Sequence, residues 1–322
     1  MKRHKICKII LAILAFFLCV AFYELIGICI TYKKQPAVSD ATIKETQNIM
    51  SVAGRENTER AVIIEKNSQA LLERVRLIQN AKDEIILSTF AFKSDESGKL
   101  ILGALHDAAD RGVHVRILVD GMESWIDMEG NPYFYGLSSH ENVEIKLYNK
   151  ANPLKPWKTM GRMHDKYLIA DGKIYILGGR NTYNYFLGDF PGHKNFDRDV
   201  LVVCDEPQKD NSVNQLWNYF ETIWEQEDCR YFHNSKKLAD RQSVKKAVLE
   251  LQEGYQQYFV VNKEKICDTD YADETFETEK ITLLSNPIHT GAKEPVVWYQ
   301  LGELMKNAKE RVKIHTPYII CN

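Results

Sequence analysis

His164 and Lys166 lie two residues apart at the start of an otherwise apolar run, residues 163–181, which reads MHDKYLIADGKIYILGGRN. Alternate residues of a β-strand share one face, so a strand that begins here would project Arg162, His164 and Lys166 together. Ionisable side chains on a mostly buried sheet are costly unless they meet a partner or a ligand. The alternative is a strand end with a lysine that reaches solvent and a histidine satisfied within the core. The stretch alone leaves both interpretations open.

The segments around this run alternate between strand patterns and helix patterns. Strands are predicted at 84–92, 113–121, 143–149, 166–170 and 173–177, and helices from Asn67 and over 98–112 and 214–224. Asp171-Gly172 between the last two strands is typical of a two-residue hairpin. This alternation predicts an α/β protein with a sheet covered by helices.

A longer pattern extends from His164 through the hairpin. It reads His164-x-Lys166-x4-Asp171-x6-Gly178-Gly179-x-Asn181. The pattern resembles the HKD signature of the phospholipase D superfamily, and the fuller string GGRN…YF…NFDRDVLV is similar to the bacterial cardiolipin synthase branch. The similarity covers residues 70–225 and 281–322. The resemblance implies a phospholipase D-like mixed sheet flanked by helices, with one complete half and the start of a second half.

The chemistry of that family accounts for the residue types. A phosphodiester is anionic and resists attack, so its cleavage needs a neutral, oriented nucleophile and fixed positive charge around the phosphoryl oxygens. His164 is the expected nucleophile and Lys166 the expected source of charge. The Asn181 amide is expected to donate to a phosphoryl oxygen, with Gly178 and Gly179 as neighbouring substrate-binding residues. Many family members carry Ser at the position of Gly179, so one hydroxyl contact to phosphate is expected to be absent.

Three acidic residues have less certain roles. Asp171 either tunes the catalytic network, as the family pattern implies, or opens the hairpin as a turn residue. The resemblance makes Asp197 the expected acid that orients the histidine of the opposite half, whereas Asp199 is interpreted as a charged residue at a strand entry. The chemistry requires no metal or cofactor. The nine histidines and seven cysteines show no metal-ligand spacing.

The N-terminal region contains an apolar run at residues 9–32, 24 positions interrupted only by Glu24. This run is long enough to cross the hydrocarbon core of a membrane. The alternative is a cleaved signal peptide, although the run exceeds a usual signal core and no small-x-small site follows closely. Basic residues within 2–8 outnumber Lys33 and Lys34, which predicts a single-pass anchor in the cell membrane with a cytoplasmic N-terminus.

The formal net charge of −2 averages two unlike regions. Residues 1–34 hold six of the 42 Lys and Arg residues and one of the 44 acidic residues, so the remainder carries a net charge of −7. An acidic body lacks the electrostatic footprint of a nucleic-acid-binding protein, so nucleic acid is an unlikely partner. The predicted organisation is a tip and transmembrane anchor at 1–34, a stalk at 35–65, a first phospholipase D-like half at 66–230, a connecting segment at 231–280 and the beginning of a second half at 281–322.

An internal repeat supports the idea of a second half. LIQNAKDEIILSTFAF (77–92) matches LMKNAKERVKIHTPYI (304–319) at a constant offset of 227. The family needs two HKD motifs that face one another, one histidine attacking and the other protonating the leaving oxygen, and the 322 residues contain one such motif. The same offset would put the second histidine near position 391. We therefore expect a fragment that lacks its second motif; the alternative is a homodimer that joins two copies of His164.

The resemblance implies a membrane-anchored phospholipase D-type phosphodiesterase or phosphatidyltransferase. It would act on phospholipids through a phosphohistidine intermediate, as a cardiolipin synthase-like enzyme does. Water as acceptor would give hydrolysis and a lipid alcohol would give transfer, and the sequence does not decide between them. The alternatives are a nuclease of the same superfamily and a non-catalytic membrane protein with half an active site.

Overall fold

The computed structural model describes residues 2–51 and 58–314 and places a nine-stranded sheet at their centre. The strands are β1 Arg60–Ile64, β2 Glu84–Thr89, β3 His114–Asp120, β4 Val143–Tyr148, β5 Lys166–Ala170, β6 Ile174–Gly178, β7 Asp199–Val203, β8 Cys229–Tyr231 and β9 Phe276–Glu277. The helices are α1 Lys2–Tyr32, α2 Asp40–Ser51, α3 Asn67–Asn80, α4 Glu96–Asp110, α5 Glu123–Asp127, α6 Pro132–Ser138, α7 Ser212–Trp224, α8 Lys236–Ala239, α9 Gln242–Cys267 and α10 Val296–Lys306.

The sheet is mixed, with strand order β8-β4-β3-β2-β5-β6-β7-β1-β9. β2 runs parallel to β3, and β3 to β4, whereas β5, β6 and β7 pair antiparallel with their neighbours. The carboxyl ends of β2, β3 and β6 therefore meet the amino ends of β5 and β7 at one end of the sheet. We call this end the site edge; its terminal strand residues are Thr89, Asp120, Lys166, Gly178 and Asp199.

Helices cover both faces of the sheet because side chains along each central strand alternate between two apolar cores. Ile85 and Leu87 of β2 point into the larger core, with α3, α4, α6 and α9, whereas Ile86 points into the smaller core, with α7. Both cores consist of fully buried aliphatic and aromatic side chains. The predicted fold class, a mixed sheet flanked by helices, is confirmed.

Local signals in the sequence place several elements correctly. Asp171 and Gly172 both have positive φ, +52° and +60°, as a tight hairpin between β5 and β6 requires. The predicted helix at 98–112 is α4, whose N-terminus is capped by the Asp95 side chain, and Gly112 follows it at φ +92°.

Two predicted segment boundaries differ from the structure. The predicted stalk at 35–65 contains α2 and also β1, whose apolar sequence RAVII pairs with β7 inside the main sheet. The predicted connecting segment at 231–280 contains α9, a helix of 26 residues. Its buried positions recur at helical spacing and pack on α3, α4 and α6, so this segment completes the larger core.

The predicted repeat is only partly visible. α3 ends at the first Asn-Ala-Lys and α10 ends at the second, so the two helices match. The predicted strand of the second copy extends beyond residue 314 and lies outside the described residues.

The N-terminal helix α1 carries exposed apolar side chains along most of its length. Residues His4–Tyr32 of this helix are long and apolar enough to cross a membrane, judged by length and composition. Its last two turns contact the body of the protein through the loop between β4 and β5.

Candidate active site

His164 lies at the site edge, two residues before β5 begins. Its imidazole is solvent-accessible and packs edge-on against Phe90, with ring centroids 4.7 Å apart. Phe90 directly follows β2, the strand that pairs with β5. Partial burial, assisted by the positive charge of Lys166, lowers the pKa of His164 from its ordinary value of 6.5. The imidazole is therefore mainly neutral at neutral pH, as a nucleophile must be.

Lys166 is the first residue of β5 and is only 6% exposed. Its Nζ donates a hydrogen bond to the His164 carbonyl oxygen at 2.6 Å and lies 5.3 Å from the centre of the Phe90 ring. Burial lowers the pKa of Lys166 to about 8, against the opposing attraction of Asp165 and Asp197. Among the residues that the structure describes, no carboxylate forms a salt bridge with Lys166, and a buried ammonium in this state favours an anionic ligand.

Arg162 does not share a strand face with His164, because residues 161–165 precede the regular strand. The structure corrects the prediction of a continuous strand here. The buried carboxylate of Asp120, at the end of β3, accepts hydrogen bonds from Arg162 Nη1 at 3.3 Å and from the Met163 backbone N–H at 3.1 Å. Asp120 therefore fixes the backbone that leads into His164, and its position at the end of an apolar strand was the available sequence signal.

These side chains line one cavity of about 390 Å³. Arg162, His164 and Lys166 form one wall, and segment 281–297 supplies further lining, including Lys293. Three cationic side chains and the imidazole of His164 thus line the same cavity. Such an arrangement suits an anionic phosphoryl group.

Asp165 is the acid in this cavity, and sequence reasoning missed it. Burial raises its pKa, although a hydrogen bond from Tyr219 Oη at 2.8 Å and the charge of Lys166 oppose that rise. Burial also lowers the pKa of Lys293, against the attraction of Asp165. The Asp165–Tyr219 pair therefore attaches the start of β5 to α7 beneath the cavity.

Asp171 lies at the opposite end of β5 from His164, and the five residues of the strand between them rise about 16 Å. Its carboxylate accepts hydrogen bonds from the backbone N–H groups of Lys82 at 2.9 Å, Asp83 at 2.8 Å and Glu84 at 3.0 Å. This placement favours the turn interpretation of Asp171 over the catalytic one, because the residue joins the hairpin to the entry of β2. The turn interpretation accounts for both its position and its positive φ.

The predicted substrate-binding residues follow β6 at the site edge. Gly178 lines the cavity, whereas Gly179 and Asn181 lie just beyond it. Asn181 is buried, and its Oδ1 accepts from the Ala91 backbone N–H at 3.2 Å. This bond connects the end of β6 to the residue that follows Phe90, so Asn181 has a structural partner; its contact with phosphate stays a prediction.

Asp197 lies beside the end of β6, close to the cavity. A Cβ atom added to Gly179 would be 2.0 Å from Asp197 Oδ2, so only glycine leaves room for this carboxylate. The negative charge of Asp197 opposes the burial that lowers the pKa of Lys166. Its predicted role in orienting a histidine of the opposite half stays a prediction.

Asp199 is the first residue of β7, which agrees with its interpretation as a charged residue at a strand entry, and its side chain is fully buried. It forms ion pairs with Arg74 of α3 at 2.9 Å and with Arg180 at 3.2 Å. Arg180 also donates to the Asp197 carbonyl oxygen. This buried group therefore positions the segment that carries Asp197, and Arg180 within GGRN was its sequence signal.

Within residues 2–51 and 58–314, no group of three or more His, Cys, Asp and Glu side chains is placed to hold a metal ion. The cysteines of these ranges are free.

A family model described as cardiolipin synthase, PLD-like domain, matches residues 75–224. This stretch contains the whole site edge and the walls formed by His164, Lys166 and α7. Over these residues the chain is similar to the phospholipase D superfamily. The similarity is to the cardiolipin synthase-like branch, and members of the superfamily are phosphodiesterases and transferases.

Curated relatives with sequence similarity include members of this superfamily. An uncharacterized protein from Helicobacter pylori is 27% identical over 292 residues, which is 82% of this chain and 55% of that protein. Cardiolipin synthase C from Escherichia coli is 29% identical over 44% of this chain and 31% of its own length, and cardiolipin synthase 1 from Staphylococcus aureus is 35% identical over 34% and 22%. The chain thus spans about half the length of the Helicobacter pylori protein and a smaller share of each cardiolipin synthase.

Solved structures of the superfamily resemble the chain more distantly. NucT from Helicobacter pylori has a TM-score of 0.42 at 18% identity and covers 54% of this chain and 99% of its own. Phosphatidylserine synthase from Haemophilus influenzae has a TM-score of 0.46 at 15% identity and covers 68% and 48%.

Proposed function

We propose that this chain is a membrane-anchored phospholipase D-type phosphodiesterase or phosphatidyltransferase that acts on phospholipids through a phosphohistidine on His164. The observation that carries the proposal is the convergence of a largely neutral His164 with Arg162, Lys166 and Lys293 on one cavity. The nucleophile and the charge that a phosphodiester requires are thus adjacent.

In the proposed first step, an imidazole nitrogen of His164 attacks phosphorus and displaces the headgroup alcohol. A P–N bond forms and a P–O bond breaks, while Lys166 and Arg162 stabilise charge on the non-bridging oxygens. In the second step, water or a lipid alcohol attacks phosphorus, and the P–N bond breaks. Water yields a phosphatidic acid, whereas a lipid alcohol yields a new phosphodiester.

The leaving oxygen needs a proton, which a second imidazole supplies in the family pattern. Among the described residues, His164 is the only histidine that lines the cavity. We propose that the partner imidazole comes from a second half of the protein or from a second copy of the chain.

A lipid substrate is favoured over nucleic acid by α1 and by the charge of the body. α1 can hold the chain at a bilayer as a single-pass anchor of the cell membrane, with its basic N-terminus in the cytoplasm. The region outside residues 1–34 is acidic, so it would repel a polyanion at long range.

The test compares two substrates on the full chain in lipid nanodiscs. Labelled phosphatidylglycerol in the disc should be converted to phosphatidic acid or cardiolipin, and labelled single-stranded DNA should stay intact. His164→Asn should abolish conversion, whereas Lys173→Ala, on the far end of the sheet, should not. Cleavage of DNA alone would establish a nuclease. Inactivity on both substrates, with the chain joined to a second half or present as two copies in one disc, would favour a non-catalytic membrane protein.

A further inference from the structure

The loop between β4 and β5 carries large apolar side chains in solvent. Leu154, Trp157 and Met160 are 78%, 43% and 58% exposed. We call residues 150–160 the interfacial loop. Its base is closed by the Asn149 side chain, which donates to the Lys158 and Gly161 carbonyl oxygens at 2.7 Å each. The apolar side chains are therefore displayed from a hydrogen-bonded loop.

The interfacial loop packs directly on the last turns of α1. Tyr23 Oη donates to the Leu154 carbonyl oxygen at 3.3 Å, and Thr159 Oγ1 donates to Glu24 Oε2 at 3.1 Å. Gly27 lies so close to the loop that an added Cβ would be 2.5 Å from Pro156. This contact gives Glu24, the acid that interrupts the apolar run, a polar partner.

The position of this contact along α1 sets the depth of the loop. From Lys8 to Tyr23, α1 rises about 23 Å, and extension of the Lys8 side chain towards the opposite surface brings this span close to the roughly 30 Å of the hydrocarbon core. Glu24 and the interfacial loop would then lie at the surface of the bilayer on the side of the body. Tryptophan and lysine are enriched at that depth.

The charges of the loop complement an anionic membrane surface. Lys158 pairs with Asp228 at 2.5 Å. Lys150 and Lys155 are exposed and form no ion pair with any residue in 2–51 or 58–314. A cavity of about 260 Å³ between α1 and the loop is lined by both lysines and by Arg162, which also lines the His164 cavity.

We propose that the interfacial loop inserts Leu154, Trp157 and Met160 into the surface of the bilayer that α1 spans. Lys150 and Lys155 bind the phosphate groups of anionic phospholipids there, next to the entrance of the His164 cavity. This inference rests on the membrane anchorage in the proposed function and adds the surface through which lipid is concentrated near the site.

Tryptophan quenching in nanodiscs tests the insertion. With the full chain in discs of phosphatidylcholine brominated along its acyl chains, Trp157→Phe should remove a large part of the quenchable fluorescence. The matched control Trp217→Phe should not, because Trp217 donates to Glu84 at the opposite end of β2 from the site edge. Equal quenching of the Trp157→Phe protein and the unmodified protein would overturn the insertion.

A second comparison tests the choice of lipid. A small fraction of brominated phosphatidylglycerol should quench Trp157 more than the same fraction of brominated phosphatidylcholine, and high salt should reduce the difference. Lys155→Glu should lower the enrichment of brominated phosphatidylglycerol around Trp157 roughly fivefold. Lys173→Glu, an exposed charge reversal in the β5–β6 turn, should leave it unchanged. Equal quenching by the two lipids would contradict anionic recognition.

The fluorescence readout does not depend on turnover, so the two proposals can fail separately. A His164→Asn chain should show the same quenching as the unmodified chain. Stable retention in discs with an unquenched Trp157 would overturn the interfacial loop alone. Failure to remain in the disc would overturn the membrane anchorage on which both proposals rest.

Discussion

The protonation state of Lys166 should make the proposed reaction depend on pH. Burial lowers the pKa of its ammonium to about 8, and the pKa of His164 lies below 6.5. The active combination is a neutral His164 with a charged Lys166, so kcat/KM should rise through the lowered His164 pKa and fall above pH 8. Lys166→Arg should abolish the fall at high pH, because a guanidinium stays charged, although its different shape should reduce the maximum rate.

The measurement for this prediction is a pH profile of kcat/KM for the full chain on lipid. Lys173→Arg, in the hairpin at the other end of the sheet, provides the control. A fall near pH 8 that persists in Lys166→Arg would assign the high-pH limb to another group.

A different prediction concerns Asp171, because its carboxylate stabilises the fold through hydrogen bonds to the backbone. Asp171→Ala removes the acceptor of three backbone N–H groups and should lower the free energy of unfolding by about 1.5–3 kcal/mol. Asp171→Asn keeps one oxygen and tolerates the positive φ, so its loss should be smaller. Chemical denaturation followed by tryptophan fluorescence measures both. A large loss of turnover at unchanged stability would return Asp171 to the catalytic network.

At the scale of elements, the segment between β6 and β7 brings the Asp197 carboxylate into contact with Gly179. Gly179→Ala should displace the Asp197 carboxylate, since the added Cβ would be 2.0 Å from Oδ2. Loss of that negative charge beside Lys166 should move the high-pH limb of kcat/KM to lower pH.

A double-mutant cycle checks this coupling. In an Asp197→Ala background, Gly179→Ala should shift the high-pH limb little further, because the displaced carboxylate is already gone. Additive shifts from the two substitutions would show that Gly179 acts independently of Asp197.

Local patterns in the sequence predicted much of the sheet and part of the site. The Asp-Gly turn, the α3 and α4 periodicities and the apolar strand runs each depend on neighbouring residues, so they are readable from a short window. The buried pairing of Asp199 with Arg74 joins positions that are 125 residues apart, and no local pattern contains such information. For the same reason, the sequence did not reveal the contacts of Asp120, because its partners Arg162 and Met163 lie in the loop between β4 and β5.

Two differences between the sequence predictions and the structure have specific physical origins. Asp171 was considered for the site because it belongs to the motif, with a turn role as the alternative, yet a strand separates residues at its two ends however close they are in the sequence. α9 was missed because its buried stripe is narrow within a largely polar helix. Val244, Ala247, Leu251 and Tyr255 form that stripe.

For the whole molecule, α1 is expected to be the main membrane attachment. Deleting residues 2–32 should release the protein from membranes, since a spanning apolar helix binds far more strongly than an interfacial surface. Sedimentation with vesicles at high salt measures this, with the full chain as the reference. Firm, salt-resistant sedimentation of the shortened protein would require a second hydrophobic attachment.

The central claim is that His164 becomes covalently attached to phosphorus. The most direct measurement is trapping: the full chain in nanodiscs is given phosphatidylglycerol with radioactive phosphorus, quenched in alkaline denaturant and digested. We expect one labelled peptide that contains His164, with label stable to alkali and released by mild acid, as for a P–N bond. His164→Asn should carry none. Label on another residue, or lipid turnover by the His164→Asn protein, would contradict the account.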